Sequence, residues 1–291
     1  MRSIFAAILL IMLMFMLPSR IFAAEHVTLN SGYKMPVLGL GTWTLNNSEA
    51  EDCVYFAIKS GYRLIDTARY YRNERGVGRG VKRAISEGLV KREELFITSK
   101  ILPGGDSDSE IENSLRDLDL DYVDLMLIHQ PGYNDEQAYH AIERAVKSGK
   151  VRSLGISNYY TRDDFDRITR NASIMPAIIQ NENHVLYQNF ELQNYVRKFG
   201  IYIESWYPFG GRGNTQKIFA NRVIQEIAKS HAKTPAQIIL RWNLQSGYIA
   251  IPGSRNHAHI LENFAIFDFE LTEQDLQKIR NIHQDKRFEN W

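Results

Sequence analysis

From Leu38 onward, short apolar runs alternate with longer stretches in which apolar residues recur every three or four positions. The short runs predict strands and the longer ones predict amphipathic helices. Eight strands are expected, at 38–42, 62–67, 96–100, 122–129, 151–157, 177–182, 201–206 and 248–252, each followed by a helix. The helix expected over 48–60 takes Ser48 as its N-cap and stops at Gly61, and others are expected over 74–88, 107–117, 134–148 and 190–199. Pro235 stands in the first-turn position of a helix over 236–245. Ahead of the repeats, Val27-Thr28-Leu29, the polar turn Asn30-Ser31-Gly32 and a second extended run predict a hairpin. A last amphipathic stretch, 272–282, lies beyond them.

Eight strand–helix units without a linker predict an α/β fold: a (β/α)8 barrel with an N-terminal β-hairpin cap and an extra C-terminal helix. The competing fold is a doubly wound open sheet, which wants a glycine fingerprint after its first strand. Gly39 and Gly41 have no third glycine in register, and Gly76, Gly78 and Gly80 fall inside a helix pattern.

In such a barrel the strand C-termini share one face, and that face carries the chemistry. The second strand ends at Asp66, with Tyr71 five residues on; the third ends at Lys100 and the fourth at His129. Singly, each residue has a plain structural explanation: a turn cap, a packed aromatic, a solvated strand end, a satisfied buried histidine. Together on one rim they point to a proton donor. An ammonium beside a phenol favours the phenolate and makes the phenol more acidic, a carboxylate holds the ammonium, and a histidine can hydrogen-bond the oxygen that the phenol protonates.

Composition narrows the picture. The 291 residues carry a formal net charge of +1, with no basic stripe to suggest nucleic acid. The single cysteine, Cys53, excludes an internal disulfide and reads as a small core residue. No metal is expected. Asn46 and Asn171 match the glycosylation acceptor pattern. Arg2, an apolar run over 4–17, Pro18 and Ala23-Ala24 read as a signal peptide over 1–24, leaving one domain over 25–291. Export to a periplasmic or secreted location is therefore expected, with an uncleaved membrane anchor or cytoplasmic retention as alternatives.

The run Tyr62-Arg63-Leu64-Ile65-Asp66-Thr67-Ala68, with Tyr71, Asn73 and Glu74, resembles a signature of the aldo-keto reductase family, in particular its bacterial diketogluconate-reductase-like branch. The resemblance extends from Met35 to Asn263. It implies a reductase of small carbonyl compounds, using NADPH or else NADH, commonly as a monomer. Tyr71 would be the general acid, Asp66 and Lys100 its tuning pair, and His129 the donor to the carbonyl. The resemblance further implies cofactor contacts from Thr42, Ser157, Asn158, Gln180, Trp206 and Pro208. At the adenosine end it implies Ser254, Arg255, His259, Glu262 and Asn263. Trp43, Tyr70, Gln130 and Tyr133 would face the substrate. Departures are Trp206 for a common tyrosine, Gly253 for a lysine, His259 for an arginine and Gln130 for a tryptophan. Two other readings compete: a non-catalytic nicotinamide-binding sensor or partner subunit, and a Schiff-base lyase built on Lys100.

Overall fold

A computed structural model of the chain describes residues 25–289. Strands β1 (His26–Thr28) and β2 (Lys34–Pro36) form the antiparallel hairpin, with Val27 opposite Met35. Eight parallel strands follow in sequence order: β3 (Gly39–Gly41), β4 (Leu64–Asp66), β5 (Phe96–Ile101), β6 (Val123–Ile128), β7 (Val151–Ser157), β8 (Ile178–Glu182), β9 (Tyr202–Trp206) and β10 (Ile249–Ala250). Parallel bridges from Leu38 to Ala250 and from Gly41 to Gly253 join the first of the eight to the last, closing the barrel.

The first, second and last barrel strands are shorter than expected. The β3–β4 ladder ends on the hydrogen bond from the Thr42 N–H to the carbonyl of Asp66, which the Thr42 hydroxyl also joins. Beyond β10, Pro252 has no N–H to give.

The helices are α1 (Asn47–Lys59), α2 (Glu74–Ser86), α3 (Ser107–Leu118), α4 (Asp135–Lys147), α5 (Arg162–Thr169) and α6 (Phe190–Val196), then α7 (Thr215–Phe219), α8 (Arg222–His231), α9 (Pro235–Gln245), α10 (His257–Phe264) and α11 (Glu273–Arg280). The cap of α1 is Asn46, not Ser48. Its side chain accepts from the N–H groups of Ser48 and Glu49, and the Glu49 carboxylate bonds back to the Asn46 N–H. Two short helices beyond the expected one fill the connection after β9. Helix α11, capped reciprocally by Thr272 and Asp275, lies outside the repeats.

The glycines of α2 serve packing. A Cβ at Gly76 would stand 2.1 Å from the carbonyl oxygen of Asn47, and one at Gly78 would stand 2.2 Å from that of Leu118. Their absence lets α2 press against its two neighbouring helices backbone to backbone.

Side chains of the strands divide between two cores by their period of two. Leu125 and Leu127 of β6 point into the barrel, where they join Leu64, Phe96, Ile178 and Ile249, while Leu29 and Met35 of the hairpin close the floor. Met126 and Ile128 point outward into the larger core between strands and helices, which also buries Cys53. Toward the strands' C-terminal ends the interior becomes polar, with Asp66, Lys100, Gln180 and Glu204 all buried.

Candidate active site

Lys100 leaves the end of β5 fully buried, and its Nζ donates three hydrogen bonds: to Asp66 Oδ1 at 2.6 Å, to the carbonyl of Thr67 at 3.0 Å and to Tyr71 Oη at 3.0 Å. Burial works against charge on both members of the ion pair. It raises the Asp66 carboxyl, while Lys100 and Gln180 pull the other way. Lys100 meets the same penalty, yet Asp66 and Tyr71 outweigh it and strengthen its hold on the proton. Three acceptors match the three N–H groups of an ammonium, whereas a neutral amine has two. The pair is therefore charged, and Lys100 keeps no lone pair for Schiff-base chemistry.

Tyr71 accepts from Lys100, because an ammonium cannot accept, so its own O–H is free to point into the cleft. Burial pushes this phenol up to about 12, despite the opposing pull of Lys100. The neighbouring ammonium alone predicts a phenol more acidic than usual; desolvation wins because the ring is enclosed by Trp43 at 4.8 Å and His129 at 5.5 Å. The proton stays on at neutral pH, and a phenol remains a far stronger acid than the alcohol formed when an alkoxide is protonated.

Position comes from a short chain of local contacts. A single 3-10 turn, Arg69–Tyr71, ends on Arg72 in the left-handed region. Asn73 is fully buried; its amide donates to the carbonyls of Thr42 and Leu45, and its oxygen accepts from Thr67. It thereby staples the loop bearing Trp43 to the loop bearing Tyr71. Glu74 accepts from Ser99 at 2.6 Å, tying the start of α2 to β5.

His129, just past β6, is driven down to about 3 by burial first and by the Lys100 charge second, so the imidazole is neutral. Its Nδ1 is buried with no hydrogen-bond partner. A proton there would be wasted, so the favoured tautomer carries it on Nε2, the nitrogen left to face the cleft.

Asn158 follows β7 in the left-handed conformation, φ 66°. Its amide nitrogen donates to the carbonyl of His129 at 2.8 Å and to Ser157 Oγ at 3.2 Å. Its oxygen accepts from Tyr160 and from the indole N–H of Trp206 at 3.2 Å. Every hydrogen-bonding direction of the amide is engaged, so in this arrangement Asn158 is a strut beneath His129. Ser157, which accepts from it, keeps its own O–H to donate. Gln180 is held at its nitrogen by two carboxyl groups, Asp66 Oδ2 at 2.8 Å and Glu204 Oε2 at 2.7 Å. The ionised Asp66 only accepts, which fixes the amide nitrogen inward and leaves the oxygen toward the cleft.

The cleft above these groups has a volume of about 420 Å³. Asp66, Tyr71, His129, Ser157, Asn158 and Gln180 meet at its base; Trp43, Tyr70, Trp206 and Pro208 wall it; Ser254 and Arg255 lie along its far end. Lys100 sits beneath the wall. Thr42 is buried with its hydroxyl spent on Asp66 and does not reach the cavity. Gln130 and Tyr133 are not among its walls, and Tyr133 is 83% exposed. His259, Glu262 and Asn263 ride on α10 and are not among the residues lining the cleft. Sequence reasoning missed Tyr207 and Phe209, which line the cleft from the loop after Trp206. It also missed Glu204, although an acid inside the apolar run Tyr202-Ile203-Glu204 was a readable signal.

Barrel and site together define a class. The family model "Aldo/keto reductase family" matches residues 37–284. The chain is 40% identical over 303 residues to "NAD(P)H-dependent D-xylose reductase I,II" of Candida tropicalis, covering 90% of this chain and 93% of that one. It is 42% identical over 270 residues to "Glyoxal reductase" of Bacillus subtilis (strain 168), covering 90% and 94%. A solved aldo-keto reductase from a Medee basin deep-sea metagenome library superposes with a TM-score of 0.86 at 36% identity, covering 91% and 97%. The chain belongs to the aldo/keto reductase family.

These relatives overturn one expectation. They are reductases, one of them named for its use of NAD(P)H, and nothing in them supports export. The apolar run that suggested a signal peptide lies outside the described residues. No helix among the described residues is long and apolar enough to cross a membrane. Neither the exported location nor the anchored alternative is retained.

Proposed function

We propose that the protein reduces small aldehydes and ketones to alcohols at the expense of NADPH, with NADH as a second reductant, and that Tyr71 is the general acid. The observation that carries this reading is the direction of the Lys100–Tyr71 bond: Lys100 donates and Tyr71 accepts at 3.0 Å, so the phenolic proton is turned to the cleft. The relatives' names, with NAD(P)H and D-xylose in one and glyoxal in the other, support the same class.

The residues suit a nicotinamide cofactor. Gln180 offers an oxygen and Ser157 a hydroxyl to a carboxamide, Trp206 offers an aromatic face, and Ser254 and Arg255 stand where a phosphate could be held. When bound, the reduced nicotinamide supplies a hydride to the carbonyl carbon. His129 donates Nε2–H to the carbonyl oxygen and orients it. Tyr71 gives its proton to that oxygen as negative charge develops there. Lys100 stays an ammonium throughout and stabilises the phenolate, which takes a proton back from solvent. Aromatic walls and an open mouth favour small, loosely specified substrates.

Arg255 is the one cation lining the adenosine end of the cleft among the described residues, and it is engaged with Glu49 at 3.4 Å. Gly253 brings no side chain. Selectivity for the ribose phosphate is therefore modest and rests on Arg255. Arg255→Ala is expected to raise the KM for NADPH about tenfold, the worth of one charge-assisted hydrogen bond, and to leave that for NADH nearly unchanged. Steady-state kinetics with both cofactors checks this.

The reading itself is tested by following NADPH and NADH consumption with 4-nitrobenzaldehyde. Turnover is expected with both, faster with NADPH. Tight cofactor binding without turnover would instead support the non-catalytic sensor.

A further inference from the structure

Glu204 is the one carboxylate beneath the site to which the mechanism assigns no task. It lies fully buried on β9; among the described residues, the only hydrogen bond to its side chain comes from Gln180 Nε2, and its Oε1 has no partner. The groups facing it are Gln180, its neighbour in the β8–β9 pairing, Asp66 of β4 and Lys100 of β5. Its neighbour in the β9–β10 pairing is the apolar Ile249. A buried acid with one donor and an empty oxygen contributes nothing obvious to stability, since burying a partly satisfied polar group is costly. What it does is complete the clamp on Gln180.

We propose that Glu204 is a positioning residue for the nicotinamide: joined to Asp66 through Gln180, it holds the amide whose oxygen faces the cleft, and its ionisation tilts the site toward the oxidised, positively charged form of the cofactor. The inference rests on the reductase reading. The physical basis is charge. With Glu204 neutral, the buried set of Asp66 and Lys100 sums to zero. Once Glu204 ionises, the base of the site carries one net negative charge in a poorly screened interior. Oxidation turns the nicotinamide ring from neutral to cationic, so that charge favours the oxidised form over the reduced one. Burial, with the Asp66 charge adding to it, raises Glu204 to about 8, which puts the change within reach of mild alkali.

The test is the ratio of the Kd values for NADP+ and NADPH between pH 7 and pH 9, in the wild type and in Glu204→Gln. The ribose phosphate titrates alike in both cofactors and cancels in the ratio. In the wild type, binding is expected to shift toward NADP+ by about threefold to tenfold across this range, the worth of half to one pKa unit. In Glu204→Gln, which keeps the acceptor for Gln180 and loses the titration, the ratio stays flat. A variant that keeps the wild-type slope, or a flat ratio in the wild type, overturns the inference and leaves the reductase reading standing. A wild type that binds neither cofactor overturns both. Should the variant fail to fold, infrared difference spectra of the wild type decide the matter: a protonated-carboxyl band is expected to vanish between pH 7 and pH 9, and its absence overturns the proposal.

Discussion

Tyr71→Phe is expected to lower kcat for NADPH-dependent aldehyde reduction by about 10²–10⁴-fold, the usual contribution of a positioned proton donor. That corresponds to about 3–5 kcal/mol of barrier. The ring survives the substitution, and with it the contacts to Trp43 and His129. What is lost is the hydroxyl and its hydrogen bond from Lys100. Cofactor affinity should barely move, since Tyr71 stands at the base of the cleft, away from Ser254 and Arg255. Stability should fall by about 1 kcal/mol for the acceptor removed from Lys100. Stopped-flow single turnover isolates the chemical step; a loss smaller than tenfold there would rule Tyr71 out as the acid.

Lys100→Met carries the second large effect, on stability as well as rate. The substitution leaves the Asp66 carboxylate buried with Gln180 as its one remaining side-chain donor among the described residues. Breaking a buried pair from one side costs about 3–5 kcal/mol, because the surviving charge is left uncompensated. Activity should fall to near background, since nothing then stabilises the phenolate left by proton transfer. The double variant Asp66→Asn/Lys100→Met separates the two effects. With both charges gone, urea unfolding should show part of the stability restored, while NADPH consumption stays at the level of the single variant. If the double variant regained activity, the ammonium would have no part in the chemistry.

Much of the barrel was legible because the pattern that forms it is local. Strand and helix periods are set by neighbouring side chains, and eight alternations in a row leave few folds that can bury them all. Element ends were less legible. Ser48 was the expected cap of the first helix, but Asn46 takes the role, because a cap is chosen by where the chain turns. The four residues at strand ends could be gathered from sequence since barrel topology puts those ends on one face. The outlying contacts could not. Whether Tyr133, His259 or Glu262 reaches the cleft depends on the path of loops and on the tilt of α10, which no local pattern records.

By itself, then, the amino-acid sequence determined the order of strands and helices, the closed parallel sheet and the placing of Asp66, Tyr71, Lys100 and His129 on one rim. Each of these follows from periodicity or from position within a repeat. The tertiary structure decided the electrostatics. Only the packed site shows that burial outweighs Lys100 at the Tyr71 hydroxyl, that three acceptors hold Lys100 as an ammonium, and that Asp66 and Glu204 together fix the face of Gln180. Those outcomes depend on distances near 3 Å between residues up to 114 positions apart, and on how completely water is excluded between them. Neither quantity is written in the order of the residues.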